Sequence, residues 1–108
     1  MLRVLDRYFA WLRSFRPVVD AIDRRDRKLG SQLREAGASV VLDLGEESGS
    51  EGGTRRQRYL NALGSAREVF NGIRVADAFG YVVVPAGLAE ELNDIIGIIV
   101  SLAKPRGC

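Results

Sequence analysis

TRRQRYLNALGSAREVFNGIRVADAFGY, residues 54–81, carries a helix start signal, a long apolar period and a stop signal in one uninterrupted run. Thr54 and Gln57 form a capping box, in which each side chain closes a backbone N–H that the first helical turn leaves open, and Gly52-Gly53 ahead of it unwinds the chain. Apolar residues recur at Tyr59 or Leu60, Leu63, Ala66, Val69 or Phe70, Ile73 and Ala76, in steps of three and four, so one face is a seam for other helices. Gly80 ends the run in the position where a helix turns left-handed. The spacing predicts a helix over 55–79, and a seam of that length needs partners.

The flanking sequence supplies them. Leu5, Phe9, Leu12, Phe15, Val19 and Ile22 trace an apolar seam over 3–25, interrupted by Pro17, where the lost hydrogen bond to Arg13 predicts a kink or a fresh start. Six consecutive charged residues, DRRDRK at 23–28, mark a solvated helix end and turn. A second helix over 28–48 has its seam at Leu29, Leu33, Ala36, Val40 and Leu44. Gly30, Gly37, Ala38, Ser39 and Gly45 give it a small-residue flank suited to close packing. SGSEGG at 48–53 is a short flexible linker. Val82, Val83 and Val84 would be a lone strand without a partner and are expected to be a connection. Pro85 suits the first turn of a fourth helix over 86–103, whose seam is Leu88, Leu92, Ile95, Ile99 and Leu102. The fold class is all-α, a single antiparallel up-down-up-down four-helix bundle over 1–108.

At 108 residues the chain forms one small core, and a small bundle leaves apolar surface at its edges. Ile96, Ile98 and Val100 widen the stripe of the fourth helix almost all round, which predicts a homo-oligomer built on that face and on the small flank near Gly37, with Trp11, beside the first seam, either an intersubunit anchor or a half-exposed flank of the core. No apolar run approaches the about 20 residues a bilayer helix needs, no secretory leader pattern opens the chain, and the lone Cys108 forms no internal disulfide; a cytoplasmic protein without a membrane partner is expected. The chain has no histidine, which removes His-based general bases, the usual zinc ligands and Glu-x-x-His di-iron sites. Glu46 and Glu68 are then structural carboxylates, and no catalytic residue, metal or cofactor is expected.

Charge is sorted along the chain. Residues 1–28 carry eight Lys/Arg against four Asp/Glu, residues 29–53 one against five, residues 54–79 five against two, and residues 80–108 two against three. Arg24, Arg25, Arg27 and Lys28 cluster at the end of the first helix, and Arg55, Arg56 and Arg58 at the start of the third, at opposite poles of an antiparallel bundle. Arg55, Arg56 and Arg58 are expected to be the principal nucleic-acid contact, because the dipole and open N–H groups of a helix N-terminus already favour phosphate. Asp23, Asp26 and Glu51 weaken the two clusters. With only Tyr59 near either of them, folded RNA or duplex is expected rather than stacking on unpaired bases. A structural or adaptor oligomer with a protein partner is the alternative.

Gln32-Leu33-Arg34, Asp43-Leu44-Gly45-Glu46, Gly64-Ser65-Ala66-Arg67-Glu68 and Gly80-Tyr81 give the chain a resemblance to the four-helix-bundle proteins encoded in intervening sequences of bacterial 23S ribosomal RNA genes. Relatives of that family include the accessory variability determinant of diversity-generating retroelements. The resemblance spans roughly residues 4–103, with Asp43 and Glu47 departing from the family's Asn-x-Ala-Glu-Gly element. It implies a ring of five subunits, RNA or DNA binding, a reverse transcriptase as a partner, and no catalysis. Gly64-Ser65 is expected to mark a close helix crossing.

Overall fold

The computed structural model describes residues 3–46 and 52–105, leaving out the side chains of Glu46 and of residues 52–54. It contains four helices: α1 (Arg3–Arg25), α2 (Arg27–Glu46), α3 (Gly52–Ala78) and α4 (Leu88–Ala103). Each helix packs on its neighbours in sequence and α4 closes back on α1, which makes the ring of contacts of an up-down-up-down bundle. The molecule measures 44 × 23 × 21 Å. Its long axis matches α3, whose 27 residues span about 40 Å. No helix among the described residues is long and apolar enough to cross a membrane. Linker residues 48–51, the expected end of the second helix beyond residue 46, and Cys108 lie outside the described residues.

Leu33, Ala36, Val40 and Leu44 from α2 meet Tyr59, Leu63, Ala66, Val69, Ile73 and Ala76 from α3, as their spacing predicts, with Leu88, Leu92, Ile95 and Ile99 from α4 completing the core. Val82–Val84 form an irregular connection, again as expected.

In the first half of α1 the inward face is turned by about one residue from the expected seam. Val4, Tyr8 and Trp11 are buried there, while Leu5 and Leu12 are half-buried and Phe9 is 40% exposed. The polar tips of the two buried aromatics explain the choice, because each reaches a backbone carbonyl. Tyr8 Oη donates to Gly37 O at 2.9 Å and Trp11 Nε1 donates to Leu88 O at 2.8 Å. Tyr8, Trp11 and Phe15 then stack in series, with ring centroids 5.7 and 4.8 Å apart. α1 runs unbroken through Pro17, whose ring is exposed, so the carbonyl it strands faces the solvent side.

Two helix pairs approach closely enough to need glycine. A Cβ on Gly30 would lie 2.8 Å from Asp23 Cα, and one on Gly72 would overlap the Leu33 Cδ2 methyl and sit 3.1 Å from Leu33 Cγ. Gly30 belongs to the small flank expected to pack closely. The α2–α3 crossing, however, falls at Gly72 and not at Gly64-Ser65, since Gly64 is exposed with open space around it.

The ends of α3 differ in how far they follow the sequence. At its C-terminus Gly80 takes φ 73°, with Tyr81 N–H bonded to Ala76 O and Gly80 N–H to Asp77 O, the paired bonds of a glycine-terminated helix. At its N-terminus the helix already includes Gly52 and Gly53, which places Thr54 inside it rather than at the cap, and Gln57 donates to Asn61 Oδ1. α4 begins at Leu88, two residues later than expected, after a turn in which Leu88 N–H bonds to Pro85 O and Gly87 adopts φ 89°.

Candidate nucleic-acid interface

α1 and α2 are joined by a single residue, Asp26. Its Oδ1 accepts the Leu29 N–H at 3.0 Å and its carbonyl accepts the Gly30 N–H at 3.0 Å, which makes it the N-cap of α2. A junction this short forces Arg24 and Arg25, in the last turn of α1, against Arg27 and Lys28, in the first turn of α2. All four side chains are exposed.

The local acids offset this cluster only in part. Asp23 and Asp20 share the single Arg34, at 3.2 and 2.6 Å, and Asp26, while capping α2, keeps its negative charge and lies beside the Tyr81 hydroxyl. Arg24, Arg27 and Lys28 pair with no carboxylate among the described residues. Helix electrostatics account for half of the cluster: Arg24 and Arg25 complement the negative end of α1. Arg27 and Lys28 do the opposite, standing at the positive N-terminus of α2, where the first turn contains no acid at all. The Asp26 cap carboxylate supplies the negative charge this terminus favours, and both cations remain exposed beside it.

The second expected cluster sits at the other end of the molecule, and its side chains are engaged. Arg56 Nε donates to the carbonyl of Ala103, the last residue of α4, at 3.0 Å. Arg58 lies 3.9 Å from Asp43 of α2, and the Arg55 guanidinium stands 6.0 Å from the Tyr59 ring, itself buried. Arg56 therefore satisfies a helix-end carbonyl and Arg58 ties α3 to α2, roles that compete with gripping phosphate.

Of the expected oligomer contacts, Trp11, Ile96 and Gly37 are buried in the subunit's own core. Trp11 is spent on Leu88, and Gly37 receives the Tyr8 hydroxyl. Ile98 and Val100 are half-buried and pack against that core from its edge. Leu102, expected in the seam, is 36% exposed.

No family model, curated protein or solved structure matches the chain. Of the residues on which the expected resemblance to the intervening-sequence proteins rests, some have packing duties, while Gln32, Gly45, Gly64, Arg67 and Glu68 are exposed. Leu33 and Leu44 are core, Arg34 bridges α2 to α1, and Gly80-Tyr81 terminates α3.

An open cleft of about 440 Å³ lies between α1 and the start of α4, lined by Arg7, Trp11, Ser14, Pro85, Gly87 and Glu91. Its charges are mutually satisfied. Arg7 donates to both Glu91 oxygens, at 2.7 and 2.9 Å, which holds the Glu91 carboxyl below its ordinary range and the guanidinium above its own. Tyr8 is raised by burial alone. Among the described residues no group of acids or cysteines is arranged to hold a metal, and no buried side-chain polar atom lacks a partner.

The aromatic residues beside a basic cluster lie at the opposite pole from the one expected. Tyr59 is buried, whereas Phe79 is 68% exposed and stacks on Tyr81, with ring centroids 5.4 Å apart and planes at 22°. The Arg25 guanidinium stands 5.8 Å from the Tyr81 ring centroid. The signal is present in the sequence: in an up-down-up-down bundle the first and third helices end at the same pole, so residues 79–81 must come close to residues 24–28.

Proposed function

We propose that this protein is a non-catalytic nucleic-acid-binding protein that holds the phosphate backbone of RNA or DNA through the α1–α2 corner, Arg24, Arg25, Arg27 and Lys28. The observation that carries the reading is the exposure of four cations at one corner, of which Arg24, Arg27 and Lys28 pair with no carboxylate among the described residues. Each arginine can present two parallel hydrogen bonds to a phosphate, which positions a strand without reading its sequence. The resemblance to the intervening-sequence proteins supports the same reading and adds its own expectations: five subunits in a ring, so that one corner becomes several, a structured RNA as ligand, and a reverse transcriptase acting alongside. Arg55, Arg56 and Arg58 contribute secondarily, because at least Arg56 and Arg58 already serve contacts within the subunit.

A structural or adaptor oligomer is the competing reading, favoured by the exposed Phe79 and Val83, at 68% and 92% exposure. Gel shifts on random RNA and DNA with two variants distinguish them. Replacing Arg24, Arg25, Arg27 and Lys28 by Gln should weaken binding to every sequence about equally, and replacing Arg55, Arg56 and Arg58 by Gln should weaken it less. Equal loss in the two variants would return the principal contact to α3. A wild-type protein that shifts neither RNA nor DNA would leave the adaptor reading standing.

A further inference from the structure

We infer that Phe79 and Tyr81 form a stacking platform for an unpaired base, so that the ligand of the α1–α2 corner is single-stranded nucleic acid or an unpaired loop of a folded RNA. The inference rests on the nucleic-acid reading and names the class of strand. Phe79 follows the last turn of α3, where the left-handed Gly80 folds Tyr81 back under it. Its ring packs on Tyr81 on one side, and the residue as a whole is 68% exposed. An aromatic residue that closes a helix against its own core would be buried, and this one is not. Val83, 92% exposed, and Val75, 42% exposed, extend the apolar surface beside it.

Charge identifies the occupant. The Arg25 guanidinium stands over the Tyr81 ring, and Arg24, Arg27 and Lys28 lie within three residues of it along the corner. The acids facing the platform are Asp26, which caps α2 and also bonds the Tyr81 hydroxyl at the edge of the ring, and Asp77, exposed in the last turn of α3. An aromatic face beside a row of cations is the pairing that single strands use, bases on the ring and phosphates on the guanidinium groups. A duplex hides its base faces and could use only the cations. An apolar protein partner would have no use for them.

The test is fluorescence anisotropy with a labelled pyrimidine single strand and with the same strand annealed to its complement, on wild type, Phe79→Ala and Phe79→Trp. Phe79 is mostly exposed, so neither change threatens the fold. Phe79→Ala should weaken single-strand binding by about five- to a hundredfold and leave duplex binding unchanged, and Phe79→Trp should restore it. Unchanged single-strand affinity in Phe79→Ala, or an equal loss on strand and duplex, overturns the platform. In either case salt-sensitive wild-type binding still upholds a phosphate contact, and the Arg24, Arg25, Arg27, Lys28→Gln variant tells whether the corner makes it. Wild type that binds neither probe overturns the nucleic-acid reading itself, and the platform with it. If sedimentation shows that Phe79→Ala breaks an oligomer while strand binding is intact, the aromatic pair is a self-association face and the inference falls.

Discussion

Three glycines in the bundle make opposite predictions for the same mutation to alanine. In a helix interior the substitution gains about 0.8–1.0 kcal/mol of backbone propensity wherever the new methyl group has room. Gly64 has room, with no atom of another group within 4 Å of where the methyl would stand. Gly64→Ala should therefore stabilise the protein by nearly that amount, raising Tm by roughly 4–8 °C. At Gly72 the same gain is opposed by overlap with Leu33 Cδ2, and Leu33 is only 1% exposed, so it cannot swing into water. Overpacking of this kind costs about 1–3 kcal/mol, which leaves Gly72→Ala between neutral and about 2 kcal/mol destabilised. Gly30→Ala should fare worse, because its methyl group meets the Asp23 backbone, at 2.8 Å from Cα, which yields less readily than a side chain. Urea unfolding monitored by circular dichroism gives the three values from the midpoint shifts at constant slope. Equal stabilisation by Gly64→Ala and Gly72→Ala would mean that α2 and α3 do not approach as closely as described.

Trp11→Phe keeps the aromatic stack but leaves Leu88 O without its indole donor; a loss of about 1 kcal/mol in urea unfolding is expected, and an unchanged midpoint would remove Trp11 from the core account. Glu91, its folded pKa lowered by the Arg7 hydrogen bond, contributes stability above the ordinary carboxylate value of about 4.3 that is lost as pH falls through the lowered folded value. Glu91→Gln should therefore be less stable than wild type at neutral pH, with the gap closing in acid; a gap independent of pH contradicts the ion pair. Ile98→Asp, on the half-buried edge of α4, should dissociate an oligomer while preserving helicity, and a wild type that sediments as a monomer at micromolar concentration would contradict the expected assembly.

Most of the fold is legible in the sequence because period and punctuation agree. Gly80 stops α3, the seams of α2 and α3 fall where their spacing places them, and Val82–Val84 lack a partner strand. The face of α1 is not legible, because a hydrophobicity pattern ranks Phe9 above Tyr8 and cannot see that Gly37 O and Leu88 O await a hydroxyl and an indole. The start of α3 departs from expectation because Thr54-x-x-Gln57 is a local signal that other contacts can override, and Gln57 finds Asn61. For the site, the sequence locates both basic clusters but ranks them by helix-end electrostatics alone. How far each cluster's side chains are engaged within the subunit depends on Ala103 O, Asp43 and Arg34, groups distant in sequence that only packing brings near. The nearness of Phe79 and Tyr81 to the α1–α2 corner follows from helix direction alone.

The central claim is that the α1–α2 corner neutralises phosphates, and the salt dependence of binding measures this directly. Titrating labelled single-stranded RNA with wild type and with the Arg24, Arg25, Arg27, Lys28→Gln variant over a range of salt gives the slope of log affinity against log salt. Four phosphate contacts per corner on a single strand predict that the variant's slope is shallower than wild type's by about 3. Parallel slopes for the two proteins, or a wild-type affinity indifferent to salt, would contradict it.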